Sequence, residues 1–127
     1  MDYGIRRKLD MGFDEARARI EEELKKEGFG VLTEIDVKAT LKKKLDVNYR
    51  RYNILGACNP AFAHKALELE REVGLLLPCN VIVYEDDDGK TVVSAMNVEM
   101  AIASLVPNLK PLADAVGAKL QAALDRL

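Results

Sequence analysis

The chain reads as an α+β two-layer sandwich, a five-stranded mixed or antiparallel sheet with helices on one face. Three observations predict this. Several short segments alternate apolar and polar residues, the period of a half-buried strand. Longer segments between them carry a single apolar stripe at helical spacing. Their order is strand, helix, strand, strand, helix, strand, strand, helix, with several strands close enough in sequence to pair as hairpins.

Residues 3–9 alternate, with Tyr3, Ile5, Arg7 and Leu9 on one side and Arg7 the misfit among them. Asp10 to Gly12 turns the chain. Phe13, Ala16, Ile20 and Leu24 then recur on one helical face, which predicts a helix over 13–27. Asp14 and Glu15 in its first turn and Lys25 and Lys26 in its last suit the helix dipole, and Gly28 is placed to end it. A long strand is expected over 30–40, with Val31, Thr33, Ile35, Val37 and Ala39 facing one way. Leu41 to Asp46 is a charged connection with room for one helical turn, and its Lys42, Lys43 and Lys44 read as solvated rather than as a phosphate site. Residues 49–58 form the third strand.

Asn59 and Pro60 are a favoured N-cap and a favoured first helical residue, so a helix opens there and runs to Gly74. Leu75 to Pro78 leads into an apolar strand over 79–84. Asp88-Gly89 marks a hairpin turn, and 90–97 returns as the partner strand. Residues 98–104 are small and apolar, with helical character. Pro107 and Pro111 frame the start of a last helix, from Leu109 or Leu112 to Leu127, with Leu112, Val116, Leu120 and Leu124 at every fourth residue.

The 127 residues fit one domain, 1–127, large enough to hold a core without a disulfide or a metal. Nineteen basic and twenty-one acidic residues leave a net charge of -2, which speaks against a nucleic-acid binder. No run of about 18 apolar residues is present to span a membrane. Met1-Asp2-Tyr3-Gly4-Ile5 lacks the basic-then-apolar pattern of a signal peptide, so a cytoplasmic protein with reduced cysteines is expected. A charged content of 31% with no Trp and two Cys is compatible with a thermophilic source.

Both cysteines and the one histidine lie between residues 58 and 79, and each cysteine is followed by an asparagine. Cys58 stands just before a predicted helix, where unpaired N–H groups and the dipole favour a thiolate. His64 lies one turn into that helix and would be its partner base if it pointed back. Against this stands the plainer reading of Cys58 as a small buried hydrophobe and His64 as a surface residue. Cys79 follows a proline at a strand start, where a merely buried thiol is the stronger reading. Two thiols and one histidine fall short of a structural zinc site, and no metal is expected. A soft-metal site of Cys58, Cys79 and Met96 has little behind it; Met96 and Met100 read as core. Asp86-Asp87-Asp88 reads as a solvated hairpin tip rather than a cation site. No dinucleotide or P-loop motif and no paired-carboxylate motif occurs, and no cofactor is implied.

The Leu-Gly-Ala-Cys-Asn-Pro element at 55–60, the Leu-Leu-Pro-Cys-Asn-Val element at 76–81 and the hairpin after it resemble the domain-of-unknown-function 302 family of bacteria and archaea. The resemblance covers nearly the whole chain. It implies a small α+β fold of a strand, a helix, four further strands and a C-terminal helix, assembled as a dimer, with no established activity. The helix expected over 60–73 is an addition to that pattern.

Three functions compete. The first is a pocket for a small molecule or ion, built by Cys58, Asn59, His64, Cys79 and Asn80. The second is a thiol-dependent enzyme or redox sensor with Cys58 as its catalytic candidate, and the third is a structural dimerisation module. The pocket requires both Cys-Asn elements at one end of the sheet. A helix of about 14 residues is about 21 Å long, and Gly74 to Pro78 spans up to about 17 Å when extended, so the chain can retrace its path. If it does, the third and fourth strands are antiparallel neighbours; a crossover to a parallel strand would instead put the two Cys-Asn elements at opposite ends, with no shared pocket. A homodimer is expected from Val81, Ile82, Val83, Val92 and Val93, which make both faces of the last two strands apolar and call for a partner on the uncovered one.

Overall fold

A computed structural model describes residues 2–127. The alternating segments become β1 (Gly4–Leu9), β2 (Gly30–Asp36), β3 (Tyr52–Cys58), β4 (Cys79–Glu85) and β5 (Thr91–Met96). They form one sheet in the order β1-β5-β4-β3-β2, and every pair is antiparallel. Helices α1 (Phe13–Lys26), α2 (Val37–Leu45), α3 (Pro60–Leu69) and α4 (Lys110–Asp125) complete the fold.

Paired residues in a sheet share a face. Leu55, Val81 and Ala95 lie across from one another, and so do Val83 and Val93. All five are buried, on the face where α1 packs over β4 and β5 and α4 over β1 and β5. Ile20 and Leu24 of α1 and Leu120 and Leu124 of α4 close this core. The two helices also pack on each other, as their single apolar stripes require. Arg7, the misfit of β1, lies on this covered face. Its guanidinium donates to the carbonyls of Leu124 (3.0 Å) and Leu127 (3.2 Å) at the end of α4.

The end of α1 follows from its sequence. Gly28 takes φ +85°. Its N–H bonds the Lys25 carbonyl, and the N–H of Phe29 bonds that of Leu24, a paired closure that brings the buried Phe29 beside the buried Leu24.

Several expectations change. The strand expected over 30–40 ends at Asp36, because the Asp36 carboxylate accepts the Ala39 N–H at 2.9 Å and starts α2. Val37, Lys38 and Ala39 alternate like a strand over a stretch too short to separate the two periods. The charged connection at 41–46 is the second half of α2, and Asp46 ends it at φ 55°. A bulge at Leu32 puts Val31 across from Ala57 and Thr33 across from Gly56, so those two β2 residues face opposite ways. The third strand begins at Tyr52, not 49; Arg50 and Arg51 before it pair with Asp87 and Asp14 instead.

The helix expected to reach Gly74 stops at Leu69. Glu70 is extended, and its carboxylate accepts the Glu72 N–H at 3.3 Å to start a 3₁₀ segment, Arg71–Leu76, that contains Gly74. The order is therefore strand, helix, strand, helix, strand, helix, strand, strand, helix. Residues 99–103 form a short π-helical segment before α4. No helix among the described residues is long and apolar enough to cross a membrane.

Candidate functional site

The β3–β4 register puts Cys79 across from Ala57, the residue before Cys58. The two Cys-Asn elements thus meet at one end of neighbouring antiparallel strands. Gly56 makes the meeting close. A Cβ at Gly56 would collide with Thr33 Oγ1 and stand 2.8 Å from Pro78 Cγ. Only a residue without a side chain lets Pro78 and the bulged β2 close over β3 here.

Beside this junction, α3 leaves a cleft of about 330 Å³, walled by Cys58, Cys79, Phe62, Ala63, Leu67 and Pro78 among others. Almost all of its wall is hydrocarbon or sulfur. Cys58 is half-buried and Cys79 is 2% exposed, and both thiols are free. Burial, and secondarily the Cys58 thiol nearby, pushes the Cys79 thiol up to about 11 from an ordinary 9.0. Burial thus favours the protonated form of the Cys79 thiol.

Asn59 reaches the same cleft, but its side chain is engaged. Its Oδ1 accepts the Phe62 N–H at 3.2 Å, the expected N-cap. Its Nδ2 donates to the Glu27 carbonyl at 3.5 Å and ties the start of α3 to the end of α1. Asn59 shapes the cleft and has little left to offer a ligand.

The other two expected residues lie elsewhere. His64 faces solvent on α3, with its side chain 78% exposed and Nε2 3.5 Å from Glu68 Oε1. It does not line the cleft and stands apart from Cys58. Asn80 is across from Gly56 and exposed, on the opposite sheet face from Cys79, because successive strand residues alternate. Met96 shares that uncovered face with Asn80, so the Cys58, Cys79 and Met96 grouping is not assembled. Among the described residues no three His, Cys, Asp or Glu side chains converge to hold a metal. The acidic tip is a turn: Asp86 Oδ1 accepts the N–H groups of Asp88 and Lys90.

Sequence reasoning missed the apolar walls Phe62, Pro78 and Leu77. Leu67 is an apolar residue left 43% exposed on α3, at the mouth of the cleft.

The family described as "Domain of unknown function DUF302" matches residues 5–127. Among curated proteins none matches. An uncharacterized conserved DUF302 protein from Bacillus stearothermophilus, known from its crystal structure, superposes with a TM-score of 0.91 at 33% identity, over 99% of this chain and 98% of that one.

Proposed function

The chain belongs to the DUF302 family, which brings no activity with it, and from the geometry alone we propose that it binds a small, mostly apolar molecule in the cleft between α3 and Pro78. One observation carries this reading: a preformed hollow of about 330 Å³ with Cys58 on its wall. That volume lies at the low end of small-molecule sites, which are mostly apolar with few polar groups. Cys58 supplies the one polarizable, reachable group. The reduced state of both thiols fits a cytoplasmic location.

The test pairs ligand binding with a filled cleft. Indole and hexanol serve as apolar probes, and the melting temperature of the chain is followed as each is added. Binding to the folded state alone raises it. Ala63→Phe places a ring in the hollow and removes the rise, and bound probe slows alkylation of Cys58 by iodoacetamide. An Ala63→Phe chain that responds as strongly as the parent puts the site elsewhere.

A homodimer is the second reading, and we propose that it forms through β2 and α2 rather than through the last two strands. The largest run of exposed apolar residues is Leu32 and Ile35 on β2, Leu45 at the end of α2, and Val47 and Tyr49 after it. Strand β2 is also a sheet edge. A second copy covering this edge would bury both features. Light scattering then reads twice 14.1 kDa, and Ile35→Asp with Leu45→Lys halves the mass. A parent chain that is monomeric at micromolar concentration rejects the dimer.

A further inference from the structure

The uncovered face of the sheet holds a second hollow, unrelated to the cysteines. Three of the chain's four tyrosines, Tyr3, Tyr52 and Tyr84, line it. Tyr52 and Tyr84 lie across from each other on β3 and β4, with rings stacked at 5.4 Å and 17°. Tyr49 leans on Tyr52 at 6.3 Å, and Tyr3 stands at the far side. Between them runs a trough of about 560 Å³, lined also by Arg6, Asn80 and Ser94. Gly4 keeps its floor open, since a Cβ there would stand 2.8 Å from Arg6 Nη2 and 2.9 Å from Ser94 Oγ.

The polar groups of the trough are of two kinds. Arg6 is already engaged, with Asp2 oxygens at 2.5 Å and 2.9 Å from its guanidinium. Lys8, further along the same strand face, sits at 3.1 Å from Asp86. These cations are answered within the chain, which is itself net negative. In contrast, the carboxamide of Asn80 is exposed and makes no hydrogen bond with the described residues, and the Ser94 hydroxyl makes none either. A carboxamide presents a donor and an acceptor side by side, which matches the edge of an amide or amidine. Tyrosine faces stack on flat rings of any kind.

We propose that this trough binds a planar, uncharged heteroaromatic ring bearing an amide or amidine edge, the chemistry of a nucleobase, stacked on the Tyr52–Tyr84 pair and paired edge-on with Asn80. Neutrality follows from the charges: an anionic group would find Arg6 occupied by Asp2 and would gain little from it. The ring can come free, as in a nucleoside, or as a base in a single strand. The lack of an unanswered cation favours the free form, because binding of a strand depends on its phosphates.

The experiment is a chemical-shift titration of the ¹⁵N-labelled full chain with adenosine, guanosine and uridine, then with the monophosphate of the best binder and with a short single-stranded oligonucleotide. The expected result is saturable shifts at Tyr52, Asn80 and Tyr84 with at least one nucleoside. Asn80→Ala weakens that binding about tenfold, the usual scale for a lost paired edge contact. As Asn80 is exposed, the variant folds; Ser94→Ala is the milder companion. Salt and the added phosphate leave the affinity within about twofold. The proposal is overturned if no nucleoside binds at about 10 mM, or if Asn80→Ala binds as the parent does. It is equally overturned if the monophosphate or the oligonucleotide binds at least tenfold tighter with a steep salt dependence, which marks a phosphate or strand site. Shifts at the same residues on concentrating the chain alone give the face to a second copy and also overturn it.

Discussion

The stretches Cys58-Asn59-Pro60 and Pro78-Cys79-Asn80 hold the same three residues and meet at one end of the sheet, yet the chain uses them differently. In the first, the proline follows the asparagine. Pro60 has a fixed φ suited to the first helical position, so Asn59 becomes a cap and the chain turns into α3. In the second, the proline comes first. Nothing after Pro78 starts a helix, and Cys79 and Asn80 enter β4 extended. Alternation then sends Cys79 into the core and Asn80 to the uncovered face. The order of the residues, not their identity, decides which asparagine is structural and which cysteine is reachable.

The most damaging change strikes the point where the stretches touch. Gly56→Val drives a side chain into Thr33 and Pro78 and is expected to cost about 3 kcal/mol, read by urea unfolding. A loss under about 0.5 kcal/mol would show that β2 and Pro78 can move aside freely.

Next come the cysteines. Cys79→Ser buries a hydroxyl in a hydrocarbon setting and should cost about 2 kcal/mol. Cys58→Ser, at a half-buried site, should cost under about 0.5 kcal/mol. Equal losses in parallel denaturant curves would erase the contrast between them.

A smaller difference separates the asparagines. Asn59→Ala loses a cap and the tie to Glu27, for about 1 kcal/mol. Asn80→Ala stays within about 0.5 kcal/mol of the parent. Thermal melts of the two variants rank them directly.

A separate effect is one of pH, confined to alkaline solution. The Cys79 thiol has its folded value raised to about 11, so the folded chain prefers the protonated form. The stability that this contributes is present in full below 9.0 and is lost as pH rises through 11. Between those values the parent should lose more stability than Cys79→Ala does. In the native chain at neutral pH, iodoacetamide should label one thiol, Cys58. Two equally fast labelling events would mean that Cys79 is not sealed.

Much of this fold was legible in the chain. The apolar stripes of α1 and α4, the Asn59-Pro60 helix start, the Gly28 helix end and the Asp88-Gly89 hairpin are local signals, each set by residues within a few positions of one another. Cys58 and Cys79 do come to one end of the sheet, the outcome a retracing path allowed, although α3 is only 10 residues long and ends at Leu69. The tertiary structure decided what local pattern cannot carry. It split β2 from α2 through a single Asp36 cap and bulged β2 at Leu32. It turned Arg7 to the end of α4, more than a hundred residues away in sequence. It also turned His64 outward and decided that Cys79, not Asn80, meets the covered face. A cap, a turn and a stripe are written in neighbouring residues. Which face a side chain meets, and what stands opposite it, depends on strand register and on elements that come together only when the chain has folded.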